Sequence, residues 1–354
     1  MNILSNEQLM ALSSSIRLLA LLSFITLSAC NEPLQNNARA VLSQDIPLVN
    51  NSIQEADGVI YFSYNKGLVW ENKSEGLPAT TSIGLGGIAV SGNKLALISK
   101  DSGLYYFMPQ EDKWVHVPTD KQLLKSNVGA LLFHNDCIYA GTQTNGVFYS
   151  KNDGKTWATL NIGLDNLTIR KFAEIENKLY VATNSGLHSF NDSLHQWELE
   201  YGHGTLQVNG LTAFKGSIYI ATNQGAFAST IGKKDWKKIF SNGALHNISS
   251  DDKTLYAMVY NELFSSHDKG QTWQNIQSGL PTQLYTFNVV KVDSTILAGQ
   301  WDGIYRKDKE TEHWKFSSNG LPEQLAIANM QVYNKIIVVS GNERKLRDGM
   351  TTDK

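Results

Sequence analysis

The sequence predicts an all-β fold, a seven-bladed β-propeller of four-stranded blades. Three observations support this prediction. Tryptophans recur with a period near 40 residues, each period contains four short apolar runs, and the chain ends carry complementary parts of one period. A period of this length indicates stacked supersecondary units. The periodic tryptophans are Trp70, Trp114, Trp157, Trp197, Trp236, Trp273 and Trp314, with successive spacings of 44, 43, 40, 39, 37 and 41 residues.

Each repeat has a fixed internal length and a pattern of four strands. A polar turn precedes each of the last six periodic tryptophans by 20 or 21 residues, at Asn93, Asp136, Asn177, Gly216, Asp252 and Asp293. In the repeat around Trp157, the runs 128–134, 137–142, 146–150 and 156–160 are rich in β-branched and aromatic residues. The second run recurs at 178–183, 217–222 and 254–258 and is apolar on both faces. Both faces of a propeller blade pack on neighbouring blades, which explains this pattern.

The two ends of the chain predict how the ring closes. Runs 59–63 and 68–71, around Trp70, supply only the outer half of a blade. Runs 326–332 and 336–340 supply only the two inner strands. We therefore predict that the first blade combines C-terminal inner strands with N-terminal outer strands. Closure at seven blades leaves no end blade with an exposed inner face.

The N-terminal residues have the features of a targeting segment. Arg17 precedes an apolar run at 18–27, which ends in Ser28-Ala29-Cys30. This apolar core is too short to span a bilayer comfortably and is typical of a cleaved signal. Residues 27–30 resemble a bacterial lipobox, and this resemblance implies a lipoprotein signal peptide at 1–29 and lipidation of Cys30. An ordinary secretory signal is the alternative, and the start codon is Met1 or Met10.

Composition and position complete the predicted organisation. Asn31, directly after the lipobox, implies by the same resemblance the outer membrane, on its periplasmic or its exterior side. Residues 30–56 form a polar tether, 57–341 the propeller and 342–354 a C-terminal tail. The net charge of −2 and the pI near 6.5 argue against nucleic acid as a partner. No spacing of His, Cys or Asp predicts a metal site, and no motif predicts a cofactor.

Three segments share the pattern Ser-x-Asp/Asn-x-Gly-x-x-Trp. They are Ser63, Asn65, Gly67 and Trp70; Ser150, Asn152, Gly154 and Trp157; and Ser266, Asp268, Gly270 and Trp273. This pattern resembles the Asp-box (BNR) repeat of sialidases, sortilin-type receptors, some endoglucanases and a photosystem II assembly factor. The resemblance spans about residues 57–341 and implies the propeller fold. We expect the Asp or Asn to accept bonds from its own turn, the Gly to adopt positive φ, and the Trp to cover the blade junction.

The resemblance to sialidases does not extend to their active site. That family binds the substrate carboxylate with an arginine triad, and bidentate guanidinium recognition is hard to replace. The chain has six arginines, of which Arg170 alone is expected near the propeller axis. We therefore do not expect sialidase activity. A carboxylate pair for glycoside hydrolysis requires two acids about 5–10 Å apart, and Asp101, Asp302 and Glu200 are the candidates.

The loops at one axial end of the propeller are the predicted binding face. Loops between the second and third strands, and loops between blades, open on this end. Their amides and aromatic side chains suit recognition of a peptide, a loop or a sugar. The predicted binding residues are Lys100, Asp101, Gln143, Asn184, Asn223, Tyr260, Trp301, Asp302, Arg170, His203 and Tyr285.

Two hypotheses for the function follow from this face. The first is a lipid-anchored, non-catalytic propeller that binds an envelope or extracellular protein, as a scaffold or assembly factor. The alternative is a carbohydrate-binding protein or glycoside hydrolase that uses the same axial face.

Overall fold

The computed structural model describes residues 58–119, 121–282, 284–309, 311 and 313–343. All of them belong to one compact unit, residues 55–354. The predicted signal peptide, Cys30, the tether and the residues from 344 onward lie outside the described residues.

Strands in the described part of the chain form seven four-stranded antiparallel sheets, which we number as blades 1 to 7. From the inner to the outer strand, blade 1 consists of β27 (Leu325–Tyr333), β28 (Ile336–Glu343), β1 (Ile60–Ser63) and β2 (Glu71–Asn72). Blade 2 is β3 (Ile83–Ser91), β4 (Lys94–Ser99), β5 (Gly103–Met108) and β6 (Lys113–Val117); blade 3 is β7 (Val128–His134), β8 (Cys137–Thr142), β9 (Val147–Ser150) and β10 (Ala158–Thr159); blade 4 is β11 (Ile169–Ile175), β12 (Lys178–Thr183), β13 (Gly186–Asn191) and β14 (Gln196–Gly202). Blade 5 is β15 (Val208–Phe214), β16 (Ser217–Thr222), β17 (Gly225–Thr230) and β18 (Lys237–Phe240); blade 6 is β19 (Leu245–Ser250), β20 (Leu255–Val259), β21 (Glu262–Ser266) and β22 (Gln274–Asn275); blade 7 is β23 (Thr286–Val292), β24 (Thr295–Gln300), β25 (Ile304–Lys307) and β26 (Lys315–Phe316).

The predicted closure of the ring is confirmed. Strand β28 pairs with β1 in antiparallel register, with Ile60 opposite Ser340 and Phe62 opposite Val338. Each inner strand contacts the inner strand of the next blade, and β27 contacts β3 to complete the circle. The chain is a seven-bladed all-β propeller.

The outermost strands are shorter than predicted in two blades. We expected strands at 68–71 and 156–160, whereas β2 and β10 contain two residues each. In both blades, the preceding turn holds the chain away from the sheet. The N–H of Val69 donates to Asn65 Oδ1 at 3.0 Å, and the N–H of Thr156 donates to Asn152 Oδ1 at 2.9 Å.

The core lies between adjacent blades, where seven clusters of buried apolar side chains pack. Periodic tryptophans fasten one blade to the one before it. Four indole N–H groups donate to carbonyls of the preceding blade at 2.7–2.8 Å: Trp70 to Ser317, Trp114 to Lys73, Trp197 to Leu160 and Trp314 to Ile276. The indole N–H of Trp157 instead donates within its own blade, to the carbonyl of Gly154 at 2.8 Å.

A glycine in the connection between two blades makes close backbone packing possible. Gly163, between blades 3 and 4, has φ +90°. A Cβ at this position would lie 2.0 Å from the carbonyl oxygen of Trp197. A side chain would therefore push Trp197 away from blade 3 and would also be strained by the backbone conformation.

The three Ser-x-Asp/Asn-x-Gly turns share one hydrogen-bond pattern. The glycine N–H donates to the serine Oγ at 2.8–2.9 Å in each turn. The Asp or Asn oxygen accepts the N–H four residues later, at 2.9–3.0 Å. The glycines have φ between +81° and +87°. In the third turn, the bonds to Thr272 are the main cause that lowers the pKa of Asp268 to about 2.

Helical structure is minor in the described residues. One four-residue helix, α1 (Lys121–Leu124), lies between blades 2 and 3. Within the described ranges, no helix has the length and apolarity that a membrane crossing requires.

Candidate binding site at the axial face

Each inner strand is irregular near its first residue. The pairing register shifts between Ile169 and Lys171 in blade 4, so that Arg170 is an extra, unpaired residue. Equivalent shifts leave extra residues at Gly129, Asn209, His246, Phe287 and Ala328, and blade 2 has a longer irregular stretch at 84–87. Bulges redirect side chains and often lie beside functional sites.

The bulges share one end of the propeller with the predicted binding loops. An inner strand begins at the end where its partner, the second strand, finishes, because the two are antiparallel. Direct bonds join the two sets of loops: the N–H of Lys100 donates to the Ser82 carbonyl, that of Gln143 to Asn127, and that of Asn223 to Gln207. We call this end the axial face.

Five aromatic rings of blades 6 and 7 meet on the axial face. Tyr285 lies with its ring centroid 4.6 Å from Tyr260 and 4.5 Å from His246, both edge-to-face. Trp301 lies 6.2 Å from Tyr285 and 5.1 Å from Phe287. We call these five residues the aromatic cluster. Tyr260 is 58% exposed, and the other four are half-buried.

The loops that carry the cluster are fixed by hydrogen bonds below it. Gln300 is fully buried at the end of β24, next to Trp301. Its Nε2 donates to Thr286 Oγ1 at 2.5 Å, which joins the first residue of β23 to the loop, and its N–H donates to the Gly303 carbonyl at 2.8 Å. Burial lowers the pKa of His246 and raises that of Tyr285. The cluster is therefore uncharged at neutral pH.

Two adjacent cations of blade 4 lie at the same end. Arg170 is exposed, and its Nη1 donates to Asn184 Oδ1 at 2.9 Å. Lys171 is half-buried, and its Nζ donates to Asn247 Oδ1 at 3.1 Å. Desolvation by burial lowers the pKa of Lys171 to about 8. We call Arg170 and Lys171 the cationic pair.

A ladder of asparagine side chains joins successive inner strands. The Nδ2 of Asn209 donates to the Leu245 carbonyl at 2.8 Å, and that of Asn247 to the Phe287 carbonyl at 3.0 Å. Asn288 and Asn329 repeat this contact toward Ala328 and Gly84, at 3.1 and 2.9 Å. Sequence reasoning missed Lys171 and this ladder. The available signal was the spacing of 38, 41 and 41 residues between the four asparagines.

The structure divides the residues predicted from the sequence into groups. It brings Tyr260, Tyr285 and Trp301 together in the aromatic cluster, and Arg170 together with Asn184. It does not bring the other six into either group. Four of these six side chains make hydrogen bonds to neighbouring residues. Gln143 Oε1 accepts from Asn127 Nδ2 at 2.6 Å, Asp302 Oδ2 accepts from Tyr305 at 2.9 Å, Asn223 bonds the backbone of Thr205 and Gln207, and His203 Nδ1 lies 3.3 Å from Thr205 Oγ1. Lys100 is half-buried and Asp101 is exposed.

One of the three acids considered for glycoside hydrolysis lies away from the axial loops. Glu200 lies in the outer strand β14 rather than in an axial loop. Its Oε1 accepts from Ser189 Oγ at 2.6 Å and lies 3.3 Å from Lys178 Nζ. The residues described by the structure contain no group of three His, Cys, Asp or Glu side chains that could hold a metal ion.

A cavity of about 600 Å³ lies between blades 2 and 3, at the turns opposite the axial face. His134 is the buried base in its lining. Its Nδ1 lies 2.9 Å from Glu174 Oε2, and its Nε2 lies 3.0 Å from Asn135 Nδ2. Both ring nitrogens are occupied, so the imidazole is held in place and is not free to activate the half-buried thiol of Cys137 in the same lining.

Comparison with known proteins agrees with the fold. A family model described as the DUF6242 beta propeller domain matches residues 199–350. None of the curated proteins matches the sequence.

Several solved structures are similar to the chain at low identity. The extracellular domain of BT4673 from B. thetaiotaomicron, described as a hybrid two component system, is 20% identical with a TM-score of 0.60, and the match covers 73% of this chain and 37% of that one. YCF48 bound to D1 peptide is 11% identical with a TM-score of 0.58, over 75% and 94% of the two chains. PorZ, a surface component of the type-IX secretion system of Porphyromonas gingivalis, is 12% identical with a TM-score of 0.51, over 68% and 34%. The chain therefore spans little more than a third of the first of these structures, and the shared property is the propeller fold.

Proposed function

We propose that this protein is a non-catalytic binding propeller of the bacterial envelope, which holds a peptide segment of another envelope or extracellular protein on its axial face. The observation that carries this proposal is the aromatic cluster. Tyr and Trp side chains present large contact areas with little conformational freedom to lose, and they dominate the binding energy of protein interfaces.

The construction of the cluster supports binding rather than chemistry. Its members lie at the starts of β19 and β23 and directly after β20 and β24, so the strands of blades 6 and 7 fix their positions. Residues held on a rigid scaffold lose little entropy when a ligand binds. The cluster is uncharged and Tyr260 remains open to solvent, which suits an apolar or aromatic side chain of a partner.

A similar propeller supports the same kind of ligand. YCF48 has been solved with D1 peptide. At 11% identity this likeness carries the fold alone, and the peptide as a class of ligand is our proposal for the present chain.

We also propose a location and a domain organisation. Residues 1–29 are a lipoprotein signal peptide, Cys30 carries the lipid and 30–56 form the tether, so that the propeller is held at the outer membrane. The predicted tail, 342–354, begins two residues later, because Asn342 and Glu343 pair with Ala326 and Leu325 in blade 1. Several acyl chains on one residue anchor a protein stably. The shared hydrogen bonds of the Ser-x-Asp/Asn-x-Gly turns support their assignment as Asp-box repeats. Replacing Cys30 with Ser is expected to move the protein from the membrane fraction to the soluble fraction of cells.

Array binding tests the proposed function directly. The full-length protein in detergent is applied to an array of random octapeptides and to an array of glycans. We expect it to bind a subset of the peptides, and we expect Tyr260→Ala to weaken that binding at least tenfold. Phe316→Ala is the matched control, since Phe316 is 60% exposed on the outer strand of blade 7.

Two outcomes would contradict the proposal. Strong binding to glycans without binding to peptides would favour the carbohydrate alternative. Peptide binding that Tyr260→Ala leaves unchanged would remove the aromatic cluster from the site.

A further inference from the structure

The cationic pair has no counter-ion. Among the residues that the structure describes, no carboxylate forms an ion pair with Arg170 or Lys171. Their hydrogen-bond acceptors are the neutral amides of Asn184 and Asn247. An unpaired charge that is removed from water is costly, and the partly buried ammonium of Lys171 is such a charge.

The path of the Lys171 side chain places its charge near the propeller axis. Lys171 belongs to blade 4 and Asn247 to blade 6, so the contact passes over the inner strand of blade 5. Gly210 is the residue of blade 5 beneath this contact, because a Cβ there would lie 2.3 Å from Asn247 Oδ1. Contact between alternate blades requires a side chain that extends across the central opening.

The fold itself does not require a lysine at this position. Asn247, Asn288 and Asn329 follow the bulges of blades 6, 7 and 1 and join their strands to the next blade with neutral amides. Lys171 follows the bulge of blade 4 in the same way. Nor does Asn247 Oδ1 need the ammonium, since it also accepts the N–H of Ile248 at 3.0 Å.

Asn247 connects the cationic pair to the aromatic cluster. Its side chain accepts from Lys171 and donates to the carbonyl of Phe287, and it directly follows His246. A ligand seated on the aromatic rings can therefore extend toward Lys171 along one side chain of the propeller.

We propose that Lys171 forms a subsite for a carboxylate at the mouth of the central channel, next to the aromatic cluster. The inference rests on the proposed function and specifies its ligand as a peptide with an aromatic or apolar side chain near a carboxylate. A carboxylate accepts a charge-assisted bond from the Lys171 ammonium and neutralises its unpaired charge. The carboxylate belongs either to the C-terminus or to an acidic side chain.

The subsite has a pH dependence that follows from its lysine. Burial lowers the pKa of Lys171 to about 8, so the ammonium loses its proton between pH 7 and pH 9.5, while the guanidinium of Arg170 stays charged. The other ionisable side chains at this end belong to His246, Tyr260 and Tyr285 of the aromatic cluster and to Lys100, Asp101, His203 and Asp302 of the loops. Burial lowers the pKa of His246, so its ring is neutral in the same range. The titratable residues of the strands packed beside β11 lie toward its far end: His134, Cys137, Tyr139, Glu174, Lys178 and Tyr180.

A small carboxylate tests the subsite without knowledge of the partner. The probe is 3-phenylpropionate, which joins one aromatic ring to one carboxylate, and the control is the neutral 3-phenylpropanamide. NMR of the full-length protein with ¹³C-labelled lysine follows the Lys171 signal, which is assigned with Lys171→Arg. We expect the acid to raise the pKa of Lys171 by about one unit and the amide to leave it unchanged.

Variants give a second, independent readout. The wild type is expected to bind the acid about tenfold more weakly at pH 9.5 than at pH 7. Lys171→Arg is expected to keep its affinity across this range, and Lys171→Met to bind acid and amide equally. An unchanged pKa of Lys171 in saturating acid would overturn the subsite, as would a Lys171→Met variant that still prefers the acid.

Peptides selected on the array then identify the source of the carboxylate. Amidation of the C-terminus weakens binding if the terminus is the ligand, and Glu→Gln or Asp→Asn exchange does so if a side chain is. Selected peptides without any carboxylate dependence would overturn the subsite and leave the proposed function intact. An array without peptide binding would overturn the proposed function, while a response of Lys171 to 3-phenylpropionate would still establish the subsite.

Discussion

Replacing Lys171 with Met is expected to make the propeller more stable. The ammonium is held in a desolvated position, and its pKa falls from 10.5 in the unfolded chain to about 8 in the folded one. The positive charge therefore lowers the free energy of unfolding, because burial destabilises the protonated amine. Met is of similar length, is unbranched and carries no charge, so it can occupy the same space without this cost.

The size of the effect follows from the two pKa values. At pH 7 both states are almost fully protonated, and a difference of about 2.5 units corresponds to about 3 kcal/mol of lost folding free energy. The hydrogen bond from Lys171 to Asn247 stabilises the folded wild type by about 1 kcal/mol, and Met would lose this contribution. The net gain expected for Lys171→Met is about 2 kcal/mol at pH 7.

The sign of the pH dependence distinguishes this explanation from a simple packing effect. Above pH 8 the folded protein binds fewer protons than the unfolded chain, so the wild type becomes more stable relative to the variant as the pH rises toward 10.5. The desolvation cost of the lysine falls from about 3 kcal/mol at pH 7 to about 2 kcal/mol at pH 9 and about 1 kcal/mol at pH 10, so the net gain from Lys171→Met falls from about 2 kcal/mol to about 1 and then to about 0 kcal/mol.

Urea unfolding of both proteins at pH 7, 8, 9 and 10, followed by tryptophan fluorescence, measures this difference. Lys237→Met is the control, because Lys237 is exposed on the outer strand of blade 5. The control is expected to leave stability unchanged within about 0.5 kcal/mol. A Lys171→Met variant that is less stable than the wild type, or whose gain is equal at pH 7 and pH 10, would refute the reasoning.

Three further predictions concern the turns and the axial face. Gly163→Ala is expected to lower the free energy of unfolding in urea by at least about 2 kcal/mol more than Gly232→Ala does. Gly232 is the control because its φ is also positive, at +78°, but an added Cβ would meet open space. Equal losses of unfolding free energy would mean that the contact with Trp197 is unimportant. Tyr260→Ala is expected to unfold at nearly the same urea concentration as the wild type, because the ring is mostly exposed; a large loss would show that Tyr260 supports the fold rather than a ligand. The carboxyl of Asp268 is expected to titrate near pH 2 by NMR, so its contribution to stability is complete above about pH 4 and is lost as the pH falls through 2; titration near 3.8 would contradict the turn geometry.

The sequence predicts the architecture well because each repeat records it independently. The tryptophan spacing, the turn positions and the complementary chain ends all depend on local strand patterns, and the register of Ile60 opposite Ser340 agrees with them. The outer strands are harder to place. Val, Leu and Trp in the run 68–71 favour a strand, but hydrogen bonds of the Ser63–Trp70 turn hold most of this run outside the sheet.

The candidate site is only partly accessible to sequence reasoning. Tyr260, Tyr285 and Trp301 stand out because aromatic residues in loops are uncommon and their blades are adjacent. Lys171 does not stand out, because a lysine within a strand looks like an ordinary solvated residue. Its position depends on the bulge at Arg170, where β11 pairs with β12, and on the absence of a side chain at Gly210, which matters only when blades 4, 5 and 6 come together.

Site-specific photocrosslinking in living cells tests the central claim, that the aromatic cluster is the binding site. A benzophenone amino acid is placed at position 260 in one strain and at position 316 in another, so that one probe lies on the axial face and the other on the outer edge of the propeller. We predict a discrete crosslinked protein for position 260 and none for position 316. Crosslinking from position 316 alone would contradict the account, because the partner would then bind the outer edge and not the axial face.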